Sequence, residues 1–227
     1  GGARRAHESG VPGPGSRRRA ARSEGRGEGA RRRILGTERS HGPYSTRAWQ
    51  ITRDGEQSVT PAFVGMGSNL GDRAARLRGG LEALAARPEA ALVAVSPVFE
   101  TAPVGGPAQG DYLNAVCEVN WDGEARPLLQ ALLDIETAQG RVRGAEADAP
   151  RTLDLDLLLF ADQTIDEPGL VVPHPRMQLR GFVLEPLARL APLLHHPVLG
   201  ETVEALAGKV RDPDSVRVYA DGSLLLR

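Results

Sequence analysis

A chain of 227 residues that is 41% hydrophobic can bury one good-sized core or two small ones. No apolar run approaches the roughly 20 residues that cross a bilayer, so a spanning helix is excluded. Cys117, the only cysteine, excludes an intrachain disulfide framework and a cysteine-based zinc cluster, and it fits a reducing compartment such as the cytoplasm. The net charge of −1 hides an asymmetry: residues 1–60 carry 13 Arg against 6 acidic residues, and the remainder carries 15 basic against 23 acidic ones.

Residues 1–58 read as a disordered tail, because Gly and Arg fill 24 of the first 60 positions and no helical or strand period appears. The chain opens Gly-Gly-Ala and not Met, as a fragment or a misplaced gene start would. The tail has no apolar signal region, and Glu8, Glu24, Glu28 and Glu38 argue against an organelle transit peptide. Its arginine runs 17–19 and 31–33 have the charge to bind nucleic acid. A solvated tail is the reading we favour, and nucleic acid is not an expected partner.

The folded domain is expected over 60–227. Phe63 to Met66 reads as a strand, and Gly67-Ser68-Asn69-Leu70-Gly71-Asp72 as a turn into a helix capped by Asp72. Leu77, Leu81 and Leu84 form that helix's apolar stripe. Leu92 to Phe99 reads as a second strand and Thr101 to Gly110 as a loop. Leu113, Ala115, Cys117, Val119 and Trp121 alternate as a third strand. Leu128, Leu129, Leu132, Leu133 and Glu136 line a second helix that ends near Gly140, and the loop 140–150 follows. A fourth strand runs through Asp154 to Phe160, residues 161–177 read as irregular, and Leu179, Val183, Leu187 and Leu190 mark a further helix. The fold class is therefore α+β: a ferredoxin-like βαββαβ core with an added C-terminal α/β extension.

The fourth strand carries most of the chemical information. Leu153, Leu155, Leu157 and Leu159 should share one face, and Asp154 and Asp156 the other. Two carboxylates at i and i+2 repel each other and weaken a purely structural strand. A cation between them removes the conflict, and hard oxygen ligands suit Mg²⁺. A solvated strand edge carries the same pattern, so the motif alone decides nothing. Arg141, Arg143 and Arg151 lie close by in sequence, and carboxylates with arginines on flexible backbone are what a metal–polyphosphate substrate needs.

Five blocks in this order resemble the 6-hydroxymethyl-7,8-dihydropterin pyrophosphokinase family: Gly67-Ser68-Asn69-Leu70-Gly71-Asp72, Tyr112-Leu113-Asn114-Ala115, Gly140-Arg141-Val142-Arg143, Pro150-Arg151-Thr152-Leu153-Asp154-Leu155-Asp156, and Val172-Pro173-His174-Pro175 followed by Arg180-Gly181-Phe182. The resemblance implies transfer of pyrophosphate from ATP to the pterin hydroxymethyl oxygen, with release of AMP, in folate biosynthesis. It implies that Asp154 and Asp156 hold two Mg²⁺ ions, and that Arg141 and Arg151 are catalytic arginines that clamp the phosphates. It implies a pterin site of Thr101, Pro103, Val104, Tyr112, Asn114 and Phe182, with the two aromatic rings stacking on the pterin. ATP would meet Glu136, Arg143, His174 and Arg180. Taken alone, Glu136 is as readily an exposed helix acid, Arg143 a surface arginine and Phe182 a core residue. We expect a monomer acting on these small molecules, with no membrane partner.

The chain departs from the family pattern in places. Ala147-Asp148-Ala149 stands where a lid Trp is common, Leu133 where a Gln is common, Leu170-Val171-Val172 lacks polar side chains and Pro175 replaces a Tyr. These departures motivate one alternative, a relative that binds pterin or nucleotide but turns over weakly. A second alternative, a ferredoxin-like nucleic-acid-binding module, is opposed by the acidic domain and the missing aromatic strand motif of RNA-recognition sheets.

Overall fold

The computed structural model describes residues 59–104, 107–141, 149–210 and 215–226. The expected tail, Arg143 and most of the loop 140–150 lie outside the described residues. The chain order is β1 (Val59–Ser68), α1 (Arg73–Ala85), β2 (Ala90–Val95), β3 (Val98–Thr101), β4 (Tyr112–Asp122), α2 (Ala125–Ala138), β5 (Asp154–Phe160), β6 (Ile165–Glu167), β7 (Leu170–Val172), α3 (Gly181–Leu190), α4 (Val203–Val210) and β8 (Val216–Ala220). It is a mixed α/β fold. The main sheet is six-stranded and antiparallel throughout, in the order β5-β1-β4-β3-β8, with β2 also pairing β4.

Two apolar layers sandwich this sheet. On one face Met66, Leu113, Cys117, Leu153 and Leu155 pack with Leu77, Leu81 and Leu84 of α1 and Leu128 and Leu132 of α2. The alternation along β4 therefore points where its period says. Asp72 caps α1 as expected, its Oδ1 accepting from the Ala75 N–H at 3.0 Å. Gly80 lets α1 approach the start of β5, since a Cβ there would lie 2.7 Å from Leu153 Cδ2. On the other face Phe63, Val116, Leu158 and Leu159 meet Val183, Leu184 and Leu187 of α3 and Val203 and Leu206 of α4. This second layer covers only part of its face, and the site occupies the remainder.

Several expectations are corrected. Leu159 does not share a face with Leu153, Leu155 and Leu157: Phe63 pairs with Leu159 and Val64 with Leu157, so Leu158 is an extra, bulged residue that reverses the alternation. The expected second strand is split at Ser96-Pro97 into β2 and β3, because Pro97 has no N–H to give the ladder. Thr101 ends β3 and is not loop. The span 161–177 is not irregular but holds the β6–β7 hairpin around Pro168-Gly169, a turn signal in plain view. Leu179 is not on the helix stripe. It lies in a 3₁₀ turn, 71% exposed, and α3 starts only after Arg180, whose backbone is extended. The segment after the hairpin holds α3, α4 and β8, and β8 joins the main sheet beside β3.

Candidate active site

The open part of the sheet face is built around two glycines. Across the strands Asp154 stands opposite Gly67, and Gly67 opposite Asn114; one step along, Asp156, Gly65 and Val116 form the next row. Residues in such rows project from the same face. Gly65 and Gly67 put no side chain between the carboxylates and Asn114, and the result is a cavity of about 350 Å³. A Cβ at Gly67 would sit 3.1 Å from Asn114 Oδ1, so glycine is needed for close approach. Asp154, Asp156, Arg151, His174, Arg180, Thr101, Val104, Tyr112, Asn114 and Phe182 all line this cavity, although they span 82 positions in sequence from the first to the last.

The carboxylate end is crowded with cations. Asp154 Oδ1 accepts from Arg141 Nη1 and Asp154 Oδ2 from Arg151 Nη1, each at 2.6 Å. Arg141 also donates to Glu136, whose Oε1 accepts the Leu155 backbone N–H at 2.7 Å. Glu136 is only 1% exposed, so the reading of an exposed helix acid is overturned; it is a buried anchor for Arg141 behind the cavity. Asp156 is held more loosely, with Arg180 Nη1 at 3.5 Å and His174 Nε2 at 3.8 Å from its Oδ2. Burial, and then the neighbouring Asp154, push the Asp156 carboxyl upward against the pull of His174, Arg180 and Arg151. Burial holds His174 below the usual histidine range, and its Nδ1 accepts the Arg176 N–H at 3.2 Å, leaving Nε2 to carry the proton that points towards Asp156.

This donor set suits Mg²⁺. Two hard carboxylates face one cavity, and among the described residues no cluster of three His, Cys, Asp or Glu groups forms a complete cage. Magnesium keeps waters and substrate phosphates among its ligands and needs only one or two carboxylates from the protein.

The opposite end is aromatic and amide-lined. Tyr112 and Thr101 are cross-strand partners, and Asn114 Nδ2 donates to Thr101 Oγ1 at 2.8 Å. Phe182 stands on the first turn of α3, with the Arg180 guanidinium carbon 5.4 Å from its ring centroid. Val104 is 77% exposed at the mouth, and Pro103 is half-buried beside it without lining the cavity.

Sequence reasoning missed five contributors. Asn69 Oδ1 accepts the Arg151 N–H at 2.7 Å, its own N–H donates to Arg151 O at 3.1 Å, and Ser68 Oγ donates to Thr152 O at 2.7 Å. The Gly67-Ser68-Asn69 turn thus fixes the backbone that carries Arg151. Gln109 Oε1 accepts from Asn69 Nδ2 at 2.8 Å and from the Tyr112 hydroxyl at 3.2 Å, joining that turn to the aromatic wall. Arg176 and Leu179 line the cavity as well. Only the Pro-His-Pro-Arg run gave a signal for Arg176, and none marked Gln109 or Leu179.

A carboxylate pair ringed by arginines, facing an aromatic pocket on a mixed α/β sheet, defines a transferase of the phosphotransferring class. The chain belongs to the 7,8-dihydro-6-hydroxymethylpterin-pyrophosphokinase (HPPK) family, whose sequence profile matches residues 63–192. It is 46% identical over 139 residues to the 2-amino-4-hydroxy-6-hydroxymethyldihydropteridine pyrophosphokinase of Pseudomonas aeruginosa, covering 61% of this chain and 85% of that protein. It is 40% identical over 158 residues to the enzyme of the same name from Methylorubrum extorquens, covering 70% and 98%. Among solved structures, wild-type Plasmodium falciparum HPPK-DHPS with pteroate superposes with a TM-score of 0.55 at 14% identity. That match covers 68% of this chain but only 45% of the other, and at this identity it speaks for the fold alone.

Proposed function

We infer that this chain transfers pyrophosphate from ATP to 6-hydroxymethyl-7,8-dihydropterin, releasing AMP, in folate biosynthesis. The observation that carries the reading is the meeting, in one cavity, of the Asp154–Asp156 pair and its cations with the Tyr112, Asn114 and Phe182 wall. The relatives at 38–46% identity that bear the pyrophosphokinase name support it. The weak-turnover and nucleic-acid alternatives are not favoured.

In the reaction the pterin hydroxymethyl oxygen attacks the β-phosphorus, and its hydroxyl proton is released to water. The bond from that phosphorus to the α,β-bridging oxygen breaks, and AMP leaves with the electron pair. Charge neutralisation matters more here than covalent help. Magnesium held by Asp154 and Asp156 would neutralise phosphate oxygens; we propose two ions. Arg141 and Arg151, which donate to Asp154, would meet the phosphates of bound ATP. His174 and Arg180 stand on the far side of Asp156 as phosphate contacts, with Arg143 assigned to ATP on sequence grounds alone. Tyr112 and Phe182 would hold the pterin ring by stacking, and Asn114 would read its edge, since an amide donates and accepts at once.

We further read the sheet as a ferredoxin-like core. The β2–β3 pair acts as one broken strand, so that α1 and α2 each cross between two strands that flank a third. We propose a monomer in the cytoplasm, with residues 1–58 outside the catalytic domain. The test is AMP release from ATP, with and without the reduced pterin, before and after chelation of Mg²⁺. Pterin-dependent, EDTA-sensitive AMP formation is expected, and release of ADP would refute the reading.

A further inference from the structure

The wall that carries Thr101 and Tyr112 is short. The β3–β4 ladder has three paired positions, Phe99 with Asn114, Glu100 with Leu113 and Thr101 with Tyr112, so of the cavity-lining side chains Asn114 sits on its first rung and Thr101 and Tyr112 on its last. Ladder ends open at little cost unless something holds them. On the opposite face of the sheet, Arg73, the first residue of α1, donates from Nη2 to Glu100 Oε1 at 2.9 Å and from Nη1 to the Asp111 backbone oxygen at 2.8 Å. One guanidinium therefore bridges the residue just before Thr101 and the residue just before Tyr112. Arg217 of β8, directly opposite Glu100, stands 3.6 Å from Glu100 Oε2 and 3.7 Å from Asp111 Oδ2.

These contacts are not equal. Arg217 is 64% exposed, so water screens its pairs. Arg73 and Glu100 are only 26% and 24% exposed, and the planar fork of Arg73 meets two acceptors at once. Arg73 is not among the residues that line the cavity. We propose that Arg73 is a positioning residue for the pterin: through Glu100 and Asp111 it bolts the terminal rung of the ladder, and so sets Thr101 and Tyr112 for the ring. This rests on the reading of Thr101 and Tyr112 as pterin contacts.

The test is equilibrium binding and steady-state kinetics on the full chain, with reduced pterin and ATP titrated separately. Arg73→Met keeps the apolar stem and removes the fork. It should weaken pterin binding and raise its KM about tenfold, the loss expected for one charge-assisted contact. The KM for ATP should stay within twofold, and kcat should change less than KM. Arg73→Lys supplies one point charge and should restore part of the affinity. Glu100→Gln, which alters charge and not shape, should move pterin affinity in the same direction and keeps the proposal testable if Arg73→Met does not fold. Tyr112→Ala separates the two ideas. If it leaves pterin binding unchanged, the pterin-site reading falls and this proposal with it. If it weakens binding while Arg73→Met and Glu100→Gln do not, the bolt alone is refuted. Parallel losses for ATP and pterin would mark Arg73 as merely structural and would also overturn the proposal.

Discussion

Asp154 and Asp156 are neighbours on one strand face with different environments, and they should fail differently when removed. Asp156 has only loose partners, so Asp156→Ala should lower kcat by about three orders of magnitude, the scale of lost metal-based charge stabilisation. Its melting temperature should stay near that of the parent. Asp154 also holds Arg141 and Arg151; Asp154→Ala should cost as much activity and also release both guanidinium groups. Near-normal rates in either variant with Mg²⁺ present would remove the assigned role. His196 is buried, and its Nδ1 accepts from the Val198 and Leu199 N–H groups at 3.3 Å each. Burial holds its pKa below the unfolded value despite an opposing backbone hydrogen bond. The folded chain then binds fewer protons than the unfolded one as pH falls through the unfolded histidine range, about 6.5. The stability from neutral His196 is complete above that range and is lost below it. Thermal melts at pH 7.5 and 5.5 should therefore show a smaller acid-induced drop for His196→Gln than for the parent. Burial also pushes the Cys117 thiol up to about 12, so a thiol reagent should label it only on unfolding.

At the scale of elements, the site depends on how three strands align. Gly67 stands between Asp154 and Asn114 on β1 and also opens the turn that pins Arg151. Gly67→Ala would press a methyl group against Asn114 Oδ1. It should raise the pterin KM roughly tenfold through a shifted hydrogen bond of about 1–1.5 kcal/mol, and pterin titration would show it. An unchanged pterin affinity would mean that Asn114 yields without cost. The strand period told which face of β5 carries the carboxylates, because alternation is a local property of extended backbone. It could not tell that Leu158 is bulged, since a bulge is set by pairing with β1. The helix stripe of α1 and its Asp72 cap were likewise legible, while the burial of Glu136 against the start of β5 was not.

For the whole molecule, the apolar layers described above begin, among the described residues, at Ala62. A chain beginning at Val59, the first residue of β1, should therefore keep the AMP-forming activity and melt at the same temperature. A lower melting temperature or lost turnover would show that residues 1–58 take part. By itself the sequence determined the helix or strand type of the elements from β1 to β5, the acid pair on one strand face, the arginines beside it and, through five ordered motif blocks, the family and its reaction. These are local patterns, written in neighbouring residues. The tertiary structure decided which distant residues meet. It paired Asn69 with Arg151 across 82 positions, put Gln109 between Asn69 and Tyr112, and set Arg73 beside the Thr101–Tyr112 rung. Such contacts depend on register and sheet order, and those follow from packing two apolar layers on a single sheet.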